Sequence, residues 1–109
     1  MTQANRFLHV VYFWPRENGS PEDTALLAEG ARRNLSSIPG VLRFAVGTPA
    51  GTQRDVVDNS YAVALILEFA TAADHDIYQD HADHHKFLEE CKQYWSRVQV
   101  YDTDICAAS

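Results

Sequence analysis

The sequence predicts an α+β domain of ferredoxin-like βαββαβ order, built to associate with a second copy of itself. Three observations carry this. Four short runs rich in β-branched and aromatic residues are each bounded by proline, glycine or polar turns. Stretches with helical apolar spacing follow the first and third runs, which is the split βαβ order. Two of the strands are apolar on both faces, and two helices can cover only one face of a four-stranded sheet. A homodimer with the uncovered faces packed together is the economical solution.

The first strand is Phe7-Leu8-His9-Val10-Val11-Tyr12-Phe13-Trp14, closed by Pro15. Phe7, His9, Val11 and Phe13 share one face; Leu8, Val10, Tyr12 and Trp14 share the other. Ser20 is an N-cap, Pro21 takes the first helical position, and Glu22 and Asp23 suit the helix dipole. Ala25, Leu26, Leu27, Ala28, Ala31 and Leu35 then carry a helix to about residue 36, stopped by Ile38-Pro39-Gly40. Residues 41–47 form a second strand, with Leu42, Phe44 and Val46 on one face and Arg43 on a wetter one. Residues 48–60 are polar and make a loop long enough to act as a lid or rim. Residues 61–69 are almost wholly apolar and form a central strand, with Ala62, Ala64 and Ile66 on its second face. Thr71 with Asp74 resembles a capping box and opens a short helix over 72–79. After a break at 80–82, a second helical segment runs from about 83 to 95. The alternating run 98–105 is the fourth strand, and residues 107–109 are expected to fray.

At 109 residues this is one domain, with its core over about 7–105. The net charge is −6 and the nine basic residues are scattered, which argues against nucleic acid or an anionic membrane as partner. No apolar run approaches the ~20 residues needed to span a bilayer, and residues 1–6 show no signal-peptide pattern. Cys91 and Cys106 lack CxxC spacing and read as unpaired thiols in a reducing cytoplasm.

The chemistry concentrates in Tyr78-Gln79-Asp80-His81-Ala82-Asp83-His84-His85-Lys86-Phe87, which holds three of the five histidines. Imidazole titrates near pH 6.5 and can give or take a proton at neutral pH. His84 and Tyr78 read in two ways. They form an acid/base pair if the break at 80–82 folds the segment back, or His84 satisfies a helix start while Tyr78 packs in the core. His9 is either a hydrogen-bonded core histidine or a polar contact in a pocket. His81 and His85 stand four apart, but the break spoils their register and no third ligand is evident, so no metal is expected.

Taken in order, these residues resemble the stress-responsive dimeric α/β-barrel (Dabb) family. The carriers are His9-Val10-Val11-Tyr12-Phe13 in the first strand and Ile38-Pro39-Gly40-Val41 at the helix-to-strand junction. Val46-Gly47 ends the second strand and residues 61–69 form the third. Tyr78, His81, His84 and Phe87 fit the pattern Tyr-x-x-His-Pro-x-His-x-x-Phe, and Asp102 fits the last strand. The resemblance implies a dimeric α/β barrel with a pocket between sheet and helices in each chain. The family includes a polyketide cyclase that works by aldol chemistry without cofactor or metal. By resemblance His84 is the catalytic base, Tyr78 assists, and His9 lines the pocket, with Val11, Phe13, Leu27, Leu65, Phe87 and Trp95 as further substrate-binding positions. Ala82 replaces the motif's proline, Val63 stands where the cyclase has another histidine, and Ala31 stands where it has a large aromatic. The cyclase's specificity therefore does not carry over.

Three functions are expected to compete. One is a cofactor-free enzyme acting on a small, largely apolar carbonyl or aromatic compound. The second is a non-catalytic, stress-associated ligand-binding dimer. The third is a cofactor-free monooxygenase of the related dimeric barrel type.

Overall fold

The computed structural model describes residues 6–106. The expected fraying at 107–109, and all but the last residue of the N-terminal segment 1–6, lie outside them. The elements are β1 (Arg6–Pro15), α1 (Pro21–Leu35), β2 (Val41–Gly47), β3 (Val63–Phe69), α2 (Ala72–Asp80), α3 (Ala82–Cys91) and β4 (Trp95–Ile105). A single 3₁₀ turn, Lys92–Tyr94, joins α3 to β4. The strands form one antiparallel sheet in the order β2-β3-β1-β4. This is the ferredoxin-like arrangement. Among the described residues no helix is long and apolar enough to cross a membrane.

β1 and β3 run through the middle of the sheet, as their two-faced apolar character requires. On the helix side, His9, Val11 and Phe13 of β1 lie opposite Leu67, Leu65 and Val63 of β3, and all six are buried. The turn into α1 is clamped electrostatically. Arg16 donates twice to the Asp23 carboxylate, at 2.7 and 3.1 Å, and the Ser20 backbone N–H donates to the same group. The bond from Arg16 holds the Asp23 carboxyl below the usual carboxylate range. After α1, Gly40 adopts φ +96°, which glycine supplies at little steric cost, and turns the chain into β2.

Four local expectations need correction. A register shift between Val41 and Arg43 breaks the period of two in β2. Val41 therefore joins Phe44 and Val46 against the core, while Leu42 turns outward and is 52% exposed. The last helix ends at Cys91, not at residue 95. Trp95 instead opens β4 opposite Pro15, with its ring 4.7 Å from Phe13, and Ser96 Oγ donates to the Pro15 carbonyl. Aromatic residues suit a pleated surface as well as a helix, and here sheet pairing wins. β3 begins at Val63 rather than residue 61, although Ala62 N–H already bonds the Phe13 carbonyl. The loop after β2 contributes Asp58 and Ser60 to the outer sheet face. There the Trp14 indole donates to Ser60 Oγ at 2.8 Å, and Tyr12, Trp14, Asp58, Tyr61 and Tyr101 line a recess. The loop sits away from the helix-side cavity described below.

The core lies between the sheet and the three helices and is filled by Leu27, Ala31 and Leu35 of α1, Tyr78 of α2, and Phe87 and Cys91 of α3. α1 meets α3 at Gly30, where an added Cβ would run into Cys91 Sγ. Glycine costs about 1 kcal/mol against alanine inside a helix; here it permits the close approach. Gly30→Ala is expected to destabilise the fold by about 1–3 kcal/mol through overpacking. Urea unfolding would measure this, and Gly30→Ala with Cys91→Ala should recover part of the loss. A neutral or stabilising Gly30→Ala would show that the helices can separate freely.

Candidate functional site

β4 is an edge strand, and the helices do not reach across it. Its residues on the helix side, Val98 and Val100, stay 44% and 40% exposed. Between this uncovered strip and α2–α3 lies a cavity of about 240 Å³ with a mostly apolar wall. β1 and β3 contribute His9, Val11, Phe13 and Leu65, and the helices contribute Tyr78, His84 and Phe87. Trp95 of β4 lines it as well, stacked on Phe87 at 5.9 Å. Gln79, Leu88, Val98 and Val100 complete the wall and were not anticipated. Of the residues expected there, only Leu27 is elsewhere: it is buried in the core and does not line the cavity. It points from α1, whose partner is α3 rather than the cavity side of the sheet. Val63 and Ala31 are also fully buried core residues outside the lining.

The break between α2 and α3 brings Tyr78 and His84 together. His81 ends α2 and caps α3: its extended backbone reverses the chain, and its Nδ1 accepts the Asp83 N–H at 3.0 Å. This is the work of an N-cap residue, so the structure gives His81 a capping role. The fold-back sets the Tyr78 and His84 rings edge to face at 4.9 Å. Tyr78 is buried, and burial pushes its phenol well above the usual range, so it stays protonated. His84 Nδ1 is buried without a hydrogen-bond partner among the described residues. Burial first, and then the charges of His85, His9 and His75, push His84 down to about 4. At neutral pH it is an uncharged imidazole.

His9 is 4% exposed and held from two sides. Antiparallel pairing of β1 with β4 puts Asp102 directly opposite, and His9 Nδ1 lies 2.6 Å from Asp102 Oδ1. A carboxylate only accepts, so Nδ1 carries the proton. From α2, the His75 ring packs 4.5 Å from His9 and stacks on Phe7 at 4.6 Å, while the Gln79 amide donates to His75 Nε2 at 3.1 Å. Burial, then the charge of His9, lowers the His75 pKa.

His9, His75 and Asp102 place potential ligand atoms within 4.8 Å of one another. However, two donors on one ion at ~2.1 Å each would stand roughly 3 Å or more apart. The 2.6 Å between His9 and Asp102 is instead a short charge-assisted hydrogen bond. The group is a bonded dyad with a neighbouring imidazole, and the spacing does not fit an ion. Sequence reading assigns His75 no role and marks Asp102 only as a position of the last strand. The available signals were His75 three residues before Tyr78 on one helical face, and a carboxylate sharing a strand face with Val98 and Val100.

The family described as Stress responsive A/B Barrel Domain matches residues 7–105. No curated protein matches the chain. Among solved structures, the chain is similar to a hydroxynitrile lyase from Passiflora edulis, with TM-score 0.80 and 14% identity, covering 98% of this chain and 99% of that one. It is similar to a dimeric ferredoxin-like protein of unknown function from Thermobifida fusca, with TM-score 0.78, 17% identity and coverage of 96% and 95%. It also resembles a Dabb family protein with a ferredoxin-like fold from Mesorhizobium loti, with TM-score 0.76, 22% identity and coverage of 94% and 99%. At these identities the likeness establishes the fold and leaves the activity open.

The depressed His84 pKa has a consequence for stability. Unfolded, this imidazole takes a proton near pH 6.5; folded, it does so only near 4. Between those values the unfolded chain binds more protons, so His84 costs stability as pH falls from about 6.5 towards 4. His84→Leu should therefore lose less stability than the wild type between pH 7 and 4.5 in urea unfolding. Equal losses would mean that His84 is not desolvated.

Proposed function

Because the chain belongs to the stress-responsive A/B barrel family, we propose that it is a homodimeric, cofactor-free acid/base catalyst acting on a small, largely apolar carbonyl or aromatic compound. The observation that carries this is the neutral His84 imidazole, its Nδ1 buried without a partner, set against protonated Tyr78 in an apolar cavity. In this reading His84 takes the proton from carbon, and the Tyr78 phenol hydrogen-bonds the developing oxyanion or fixes the imidazole. The apolar wall of Val11, Phe13, Leu65, Phe87 and Trp95 binds the substrate and excludes water. A hydroxynitrile lyase on the same fold supports an enzyme by analogy alone. Two free thiols, one buried and one exposed, suit the cytoplasm, where we place the protein.

The homodimer rests on the outer sheet face. Tyr12, Trp14, Tyr61 and Tyr101 gather there, with the Tyr12 ring 4.9 Å from Tyr61 and the Arg97 guanidinium 4.0 Å above Trp14. Tyr101 is 59% exposed in the single chain. A contiguous aromatic face of this kind marks an association surface, and solved relatives of the fold are described as dimeric.

Two tests follow. Tyr101→Asp should convert a dimer to a monomer in light scattering at micromolar concentration; a wild-type monomer would sink the assembly. For the chemistry, 5-nitrobenzisoxazole is a compact apolar aromatic whose ring opening needs only abstraction of a carbon-bound proton. Wild-type protein should open it faster than free imidazole at equal concentration. His84→Ala should lose about 10²–10⁴-fold of that rate while the dimer persists. An unaccelerated wild-type reaction would favour the non-catalytic ligand-binding dimer.

A further inference from the structure

We propose that His9 is the general acid that complements the His84 base, and that Asp102 is the positioning residue that keeps the acid's proton in place. This rests on the acid/base reading above and assigns its second half. A base in an apolar cavity leaves negative charge on the substrate oxygen, and that charge must be met. Tyr78 can donate a hydrogen bond, but a buried phenol with a raised pKa is a reluctant proton donor. His9 is placed differently. It lines the same cavity, and its Nδ1 is tied to a carboxylate at 2.6 Å. The tie stabilises the imidazolium and directs Nδ1 away from substrate, leaving Nε2 as the nitrogen that can deliver a proton.

The groups around His9 sort the two roles. Among the described residues, Asp102 on β4 is the one carboxylate hydrogen-bonded to its ring, and the facing residues of β3 are Leu65 and Leu67. α2 brings His75 and Tyr78, and α3 brings His84. When His9 is charged it lowers both His75 and His84. His9 is the one of the three with a carboxylate at hydrogen-bond distance, 2.6 Å; Asp76 stands 4.0 Å from His75, and His84 Nδ1 has no partner among the described residues. Two like groups driven apart by their surroundings are the general signature of an acid and a base at one site.

In the step this implies, a carbon-bound proton passes to a His84 nitrogen. The C–H electron pair becomes the new carbon–carbon π bond, and the carbonyl π pair moves to oxygen. That oxygen takes the Nε2 proton of His9, which ends neutral and still donates Nδ1–H to Asp102. Reversal restores both histidines, so no other reactant is consumed.

Two benzisoxazoles test the assignment, because acid assistance matters more for a poorer leaving group. In each, His84 takes the ring C–H proton, the nitrile forms, and the N–O bond breaks to release a phenolate. The 5-nitro compound releases a good leaving group and the unsubstituted compound a poor one. His9→Gln and Asp102→Asn should lower the rate with the unsubstituted compound at least tenfold more than with the nitro compound. In Asp102→Asn the alkaline limb of the pH–rate profile should also move to lower pH. His84→Ala should lower both rates alike. Equal losses with the two probes in His9→Gln and Asp102→Asn, with an unmoved alkaline limb, would reduce the pair to structural support and overturn the assignment while leaving the His84 base intact. Failure of the wild type to accelerate either probe would instead remove the acid/base reading itself. Two-bond ¹H–¹⁵N spectra of histidine-labelled protein, free of any substrate, give an independent check. His9 should hold its second proton at a pH where His84 is already neutral, and should release it at lower pH in Asp102→Asn. Coincident titration of the two rings would overturn the proposal.

Discussion

The structure depends on the register of β1 between its two neighbours. A strand alternates its side chains with a period of two, so one choice of pairing decides the fate of ten residues. With His9 opposite Leu67 on one side and Asp102 on the other, Val11 and Phe13 enter the core. A slip of one residue would turn Tyr12 and Trp14 towards the helices and push His9 to the outer face. Apolarity alone does not forbid that slip, since apart from His9 both faces of β1 between residues 7 and 14 are apolar. The Asp102–His9 hydrogen bond and the fit of Phe13 against Phe87 and Trp95 separate the two choices.

The same register explains why the cavity is where it is. α1 and α3 are drawn together by Gly30 and cover β3 and part of β1. That close packing leaves three helices too narrow to reach β4, so the β1–β4 strip stays open on the helix side. Apolar residues of β4 remain half-wet there, at a cost of about 25 cal/mol for each Å² left exposed. A space walled by apolar side chains and floored by histidine is what that cost retains. The outer face carries the complementary cost, an aromatic surface with Tyr101 exposed in the single chain.

Most of the architecture was legible because its signals are local. Ser20-Pro21, Ile38-Pro39-Gly40 and Thr71 with Asp74 mark ends by their own chemistry, and residues 63–67 need no partner to read as a buried strand. Two of the misreadings share one cause. The outward turn of Leu42 follows from a shift in pairing with β3, and Trp95 joins a strand because Pro15 lies opposite. Neither partner is a sequence neighbour. The candidate site divides the same way. Tyr78, His84 and His9 could be named from a short motif and a strand pattern, and the fold brings them to one cavity. Asp102 and His75 are harder to place, because the fold sets their partner: Asp102 meets His9 from 93 positions along the chain, and His75 meets it through the rotation of α2 about its axis.

Three neighbouring imidazoles, His9 and His75 buried and His84 half-buried, pose an electrostatic problem, and its solution has functional weight. Like charges this close cannot all form in a medium that solvates them poorly. A carboxylate at hydrogen-bond distance marks out one of them, His9. Asp102 is the half-exposed member of the group, and its hydrogen bond reaches inward to a buried ring. Burial disfavours the charged form of a ring wherever it acts. One acidic side chain at the sheet edge sets the rings apart and gives the cavity a direction, with a carboxylate-bonded imidazole at the sheet and an unpartnered imidazole nitrogen at the helices.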